Sequence, residues 1–200
     1  MAAKTTLNAA NLETLGTPRL AALMLELAEG DAAAKRRLRL ELTGRHDPGA
    51  LARSVRKRLE TVARAKGWLD VERQRELARD LDAHRRALVD HLAPHRPGEA
   101  LDLMLRLVQL RPAVRERCRW RDDAMAALFD AAVAALPALV DAGGTPVADL
   151  ADRLARAVLA DPWDGAGDVL EAVVPRLDAT ARTRLRERLE AARAAAPAAT

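Results

Sequence analysis

The 200 residues of this chain predict an all-α fold of stacked helical hairpins, α-solenoid-like, with roughly ten helices. Three observations carry that expectation. The apolar half of the composition is mostly Ala and Leu, while aromatic residues make up 2% and Tyr is absent. Strands favour β-branched and aromatic residues, and Ala, Leu, Arg and Glu are strong helix formers. Apolar residues recur at helical spacing, and no run alternates with the period of two that a strand needs. Asp, Asn, Thr, Pro and Gly sit where helix caps and stops are expected.

The elements follow in order. Asn8 caps a short helix through Leu12 and Leu15 that Gly16 ends. Thr17-Pro18 reads as an N-cap with proline at the first helical position. That helix carries Leu20, Leu23, Met24 and Leu27 on one stripe and closes at Gly30. Asp31 caps the next, which carries Ala34, Leu38 and Leu42 and ends at Gly44. Asp47-Pro48 repeats the start signal before the Leu51, Val55, Leu59, Val62 stripe. Asp70 opens a long helix through Leu77, Leu81, Leu88 and Leu92, broken by Pro94 to Pro97. Pro97 starts the helix of Leu101, Met104, Leu105 and Val108. Pro112 forces a boundary, with a short helix through Val114 and Cys118 after it.

An apolar helix from about Asp122 is expected to end near Pro137 or at Gly143-Gly144. The stretch Ala124 to Val140 is short, Ala-rich and interrupted by Asp130 and Pro137, which reads as a buried helix rather than a membrane span. Thr145-Pro146 gives a third cap-plus-proline start, before Leu150, Leu154 and Val158. Asp161 to Gly165 is a loop holding Trp163. A helix through Val169 and Val173 is weakened by Pro175, and Asp178 caps the last, through Leu185 and Leu189. The expected organisation is one helical domain over residues 1–193 and a frayed tail over 194–200.

A single cysteine, Cys118, excludes an internal disulfide framework and points to a reducing compartment, with a cytoplasmic location the expectation. The first residues lack the apolar run of a signal peptide. The formal charge of +4 is uneven. Residues 1–66 hold 13 basic and 7 acidic side chains, whereas residues 122–200 hold 8 and 13. A basic front and acidic back permit contact with nucleic acid or head-to-tail self-association. Coding bias toward Arg and Ala also raises the basic count, since Lys stands only at Lys4, Lys35, Lys57 and Lys66.

Candidate contact residues for nucleic acid or an acidic partner are Lys35, Arg36 and Arg39 in one helix, and Arg53, Arg56, Lys57 and Arg64 in the next. Arg53, Lys57 and Arg64 fall opposite the apolar stripe of their helix. Basic helix faces hold phosphates without reading sequence, and residues 1–67 contain no aromatic side chain for stacking on bases. A solvated face is the ordinary role of such a charge run. His84 lies on the apolar stripe of its helix, and His91 and His95 have ligand-pair spacing, but Pro94 breaks the register that zinc would need. Cys118 sits among Arg115, Arg117, Arg119 and Arg121, which lowers a thiol pKa. No catalytic residue, cofactor or metal site is expected, and Gly143-Gly144-Thr145 lacks the spacing and lysine of a phosphate loop.

The run Lys4-Thr5-Thr6-Leu7-Asn8, then Asn11-Leu12, Leu15-Gly16 and Ala32 to Leu42, resembles the opening of a proteobacterial family of unknown function. Val55-Arg56-Lys57-Arg58-Leu59 and Glu99-Ala100-Leu101-Asp102-Leu103-Met104 are similar to it as well. The resemblance implies a helical fold whose longer members continue into tetratricopeptide-like segments, and it transfers no site. The function expected is a non-enzymatic helical scaffold or adaptor that binds a protein partner or another copy of itself. The alternative is binding of the phosphate backbone by the basic helices at 31–66.

Overall fold

The computed structural model describes residues 6–118, 122–159 and 165–195. Among these it is all-α: eleven α-helices, one π-helical turn and one 3₁₀ turn. The sole extended pairing among the described residues is an isolated parallel bridge between Leu69 and Cys118. The chain divides into two compact units, Met1–Arg39 and Leu40–Thr200.

The first unit holds α1 (Ala9–Glu13), α2 (Thr17–Ala28) and the front of α3 (Ala32–His46). Asn8 caps α1 as expected, its Oδ1 accepting from the Asn11 N–H at 2.8 Å. Thr17 is not the cap of α2: Gly16 occupies that position with φ +76°, and Thr17 is the first helical residue. Asp31 Oδ1 accepts from the N–H groups of Ala33 and Ala34, so α3 starts where its acid predicts.

The second unit carries the core. Its helices are α4 (Pro48–Arg64), α5 (Val71–Ala87), α6 (Pro97–Val108), α7 (Arg111–Arg115), α8 (Asp123–Asp141), α9 (Val147–Leu159), α10 (Gly165–Val173) and α11 (Ala179–Ala195). Helix α8 packs on α5, α6 and α10, and α9 packs on α11. Leu51, Val55, Leu81, Leu101, Met104, Leu107, Leu136 and Leu154 are buried from water in one continuous core. By length and composition alone α8 could cross a bilayer, yet Met125, Leu128, Phe129, Ala132, Val133, Leu136 and Leu139 are buried against its neighbours.

Three further boundaries differ from expectation, each for a local reason. Helix α3 runs through Gly44 to His46, because Gly44 is buried at a close helix contact rather than serving as a C-cap. A Cβ built on it would meet His91 Cδ2 at 2.7 Å. The long helix of Asp70 changes at Leu88 into a π turn over Leu88–Leu92, where Ala93 N–H donates to Leu88 O. The short helix after Pro112 stops at Arg115, three residues before Cys118, which enters the bridge to Leu69. Of the two ends expected for α8 the later holds: Pro137 lies inside it, and Gly143 and Gly144 follow with φ +75° and +81°. Residues 160–164, including the loop residues Asp161, Trp163 and Asp164, lie outside the described residues, as do Arg119, Arg121 and the tail 196–200.

Candidate functional site

The basic residues singled out from the sequence stand on two helices, each taken within its own unit. On α3, Lys35, Arg36 and Arg39 are exposed, and none has an ion-pair partner among the described residues. On α4, Leu51, Val55, Leu59 and Val62 are buried, while Arg53, Lys57 and Arg64 are exposed. The helical phase read from the sequence places these side chains as expected. Their pairing is uneven: Arg53 lies 3.8 Å from Asp47 and Arg64 3.7 Å from Glu60, both on the surface. Such contacts contribute little and leave the guanidiniums available. Lys57 has no ion-pair partner among the described residues.

Arg56 turns away from that face. Its Nη2 donates to Glu99 Oε1 at 2.9 Å, and the pair is only about one-third exposed. It thereby enters an open crevice of about 570 Å³ at the start of α6. Arg96 also reaches Glu99, at 3.3 Å, and Arg106 and Arg153 share Asp102, at 3.0 and 3.8 Å. Arg153 further donates to Gly98 O at 3.2 Å. Four guanidiniums therefore divide two carboxylates between them. Arg96, Arg106 and Arg153 did not stand out in the sequence, because the first two belong to the N-cap and last turn of α6 and the third lies in α9, and only the fold brings them to Arg56.

The apolar stripe of α2 is the other surface feature. Its spacing of i, i+3, i+4, i+7 ordinarily marks a core-facing side. Yet Met24 is 49% and Leu27 79% exposed, with Leu20 and Leu23 partly covered and Leu25 70% exposed beside them. Arg19 and Glu26 form an ion pair at 3.6 Å along the polar flank of the same helix. In the second unit the largest exposed aromatic side chain among the described residues is Trp68, at 71%. The sequence analysis named Trp163 and not this ring, which stands between Gly67 and the cap Asp70.

The histidines do not converge. His84 Nδ1 lies 2.7 Å from Asp80 O on its own helix, and His91 Nε2 lies 2.8 Å from Glu41 Oε2. Among the described residues no group of three or more His, Cys, Asp or Glu is placed to hold a metal.

For Cys118 the expected direction is reversed. Burial pushes its thiol above the ordinary value and outweighs the opposing charge of Arg117. The Arg117 guanidinium is turned to the carbonyls of Gly67 and Val62, at 2.8 and 3.4 Å, and Cys118 Sγ donates to Val114 O at 3.1 Å. A neutral thiol held in this way is a poor nucleophile. Cys118 lines a pocket of about 360 Å³ together with Arg111 and Phe129.

No curated protein and no solved structure is similar enough to this chain to register as a match. One family model does match, over residues 2–200, and it is described as a family of unknown function, DUF6880. Matched over almost its whole length, this helical chain belongs to DUF6880, a family of unknown function.

Proposed function

We propose that this chain is a non-enzymatic, cytoplasmic helical scaffold or adaptor, with its hairpins stacked in solenoid fashion, that binds a protein partner through α2. The observation that supports this reading is the exposed stripe of Leu20, Leu23, Met24 and Leu27. Burying it against a partner recovers roughly 1.5–3 kcal/mol for each large side chain moved from full exposure to full burial. The stripe spans two helical turns, so the matching occupant is the apolar side of an amphipathic helix.

The test is a Leu23→Asp/Leu27→Asp double variant beside wild type, both checked for helix content by circular dichroism. Proteins cross-linked to wild type through α2 are expected to disappear with the variant, with the fold retained. Recovery of the same set by both proteins refutes the reading.

A second reading has its own support. Lys35, Arg36, Arg39, Arg53, Lys57 and Arg64 are exposed, and Trp68 supplies an accessible ring just after the basic helix. Phosphate contact plus stacking is the ordinary chemistry of single-strand binding. Binding of labelled single- and double-stranded DNA and RNA at two salt concentrations tests it, beside an Arg53→Glu/Lys57→Glu/Arg64→Glu variant. Low-salt binding that the variant loses favours this reading, and no binding removes it.

A further inference from the structure

The pocket beside Cys118 lies wholly within the second unit, between the start of α5, the α7 segment and α8. Two of its wall residues leave hydrogen-bonding groups unused. Gln74 is 1% exposed; its Nε2 donates to Leu69 O at 3.0 Å, but Oε1 has no partner among the described residues. Arg111 gives Nη1 to Asp168 Oδ2 at 3.2 Å, yet Nε and Nη2 are buried and also without a partner among the described residues. Most buried polar groups in a folded protein are paired, and an orphan is destabilising. An arginine stays charged at any ordinary pH, so Arg111 cannot relieve the cost by losing a proton.

The orphaned atoms are of a particular kind. Nε and Nη2 lie on one edge of a guanidinium, the edge that takes both oxygens of a carboxylate at once. That group rests over Phe129, with Cζ 5.7 Å from the ring centroid. Gln74 Oε1 asks for the opposite partner, an N–H or O–H donor. Asp130 is a further acid on the wall and has no ion-pair partner among the described residues. Asp122 is already committed to Arg75 Nε at 3.0 Å and to the Ala124 N–H at 2.9 Å. Val114, Met125 and Phe129 give the wall its apolar part, beside Arg115, Cys118 and Asp168. At roughly 30 Å³ for each water-sized group, about 360 Å³ admits about a dozen non-hydrogen atoms.

We propose that this pocket binds a small zwitterion of the amino-acid class, with its carboxylate on the Arg111 edge, its ammonium toward Gln74 Oε1, and an apolar side chain against Met125 and Phe129, with Asp130 at the exposed rim. The carboxylate draws the guanidinium off the Phe129 ring and replaces a stacked, half-used cation with a paired one. The site is separate from α2 and requires no catalysis by this chain.

The test uses the full chain labelled with ¹³C at the methionine methyl groups. It is titrated with phenylalanine, and in parallel with 3-phenylpropionate, which lacks the ammonium, phenethylamine, which lacks the carboxylate, and glycine, which lacks the apolar body. Phenylalanine is expected to shift the Met125 methyl resonance and leave those of Met24 and Met104 in place. Each truncated probe is expected to bind at least about tenfold more weakly, and Arg111→Lys to lose a similar factor for phenylalanine. A Met125 resonance unmoved by phenylalanine, methionine or leucine at about 10 mM overturns the proposal without any variant. So does an affinity that Arg111→Lys, confirmed folded by circular dichroism, leaves unchanged.

Discussion

Replacing Gly44 by alanine adds one methyl group inside a helix, where alanine normally stabilises by about 0.5–1 kcal/mol over glycine. Here the methyl would stand 2.7, 2.9 and 2.9 Å from His91 Cδ2, Cβ and Cγ. Two of those atoms lie at the root of the imidazole, so a ring flip does not clear them. His91 is also tied to Glu41 at 2.8 Å, and moving it breaks that bond. Overpacking of this kind costs about 1–3 kcal/mol, which outweighs the helical gain and leaves a net loss of about 1–2 kcal/mol. For a chain of this size that lowers the melting temperature by about 2–8 °C. Thermal melting by circular dichroism measures it, with Gly167→Ala as the contrast: Gly167 lies in α10 with nothing within 4 Å of an added Cβ. That variant is expected to gain up to about 1 kcal/mol. In a His91→Ala background the Gly44→Ala penalty is expected to shrink, since Cδ2 and Cγ are removed while the Cβ contact at 2.9 Å remains. A Gly44→Ala protein as stable as wild type, with His91 intact, refutes the steric argument.

Other outcomes follow from the same kind of reasoning. Asp122→Ala removes the cap of α8 and strands Arg75, for an expected loss of about 1–2 kcal/mol by denaturant melting, whereas Asp122→Asn keeps the cap and costs under about 1 kcal/mol. Because burial raises the Cys118 pKa, the thiol is expected to react more slowly with an aromatic disulfide than a free cysteine at the same pH. The sign for stability follows: the unfolded thiol ionises first, so this contribution is present below the ordinary thiol pKa and is lost as pH rises through the raised one. A Cys118→Ser comparison across pH 7–10 by denaturant melting reads that difference, and identical pH dependences count against it.

Much of the fold was legible because its punctuation is chemical. Asn8, Asp31, Asp47, Asp70, Asp122 and Asp178 each place a side-chain oxygen on a first-turn N–H, and each was readable as a cap. What was misread depends on contacts distant in sequence. Gly44 resembles a helix stop until His91, forty-seven residues later, is seen to occupy the space a side chain would fill. Thr145 resembles a cap beside Pro146, yet its hydroxyl is buried and has no partner among the described residues. The basic faces were legible because charge and helical phase are local properties. The crevice of Arg56, Arg96, Arg106 and Arg153 was not, since shared carboxylates are a matter of tertiary approach. Nor did the residues around Cys118 reveal its state, because burial outweighs the neighbouring arginine and burial is not written in adjacent letters.

The π turn at Leu88–Leu92 decides which way His91 faces. A turn closed from Ala93 N–H to Leu88 O holds one more residue than an α-helical turn. Leu88 and Leu92 are fully buried at its two ends. With one residue fewer between them the helix of Asp70 would continue in ordinary register, with His91 rotated by about 100° away from Glu41 and Gly44. The extra residue in one helix is thus matched by the missing side chain at Gly44 in another, and a chain without the first has no need of the second.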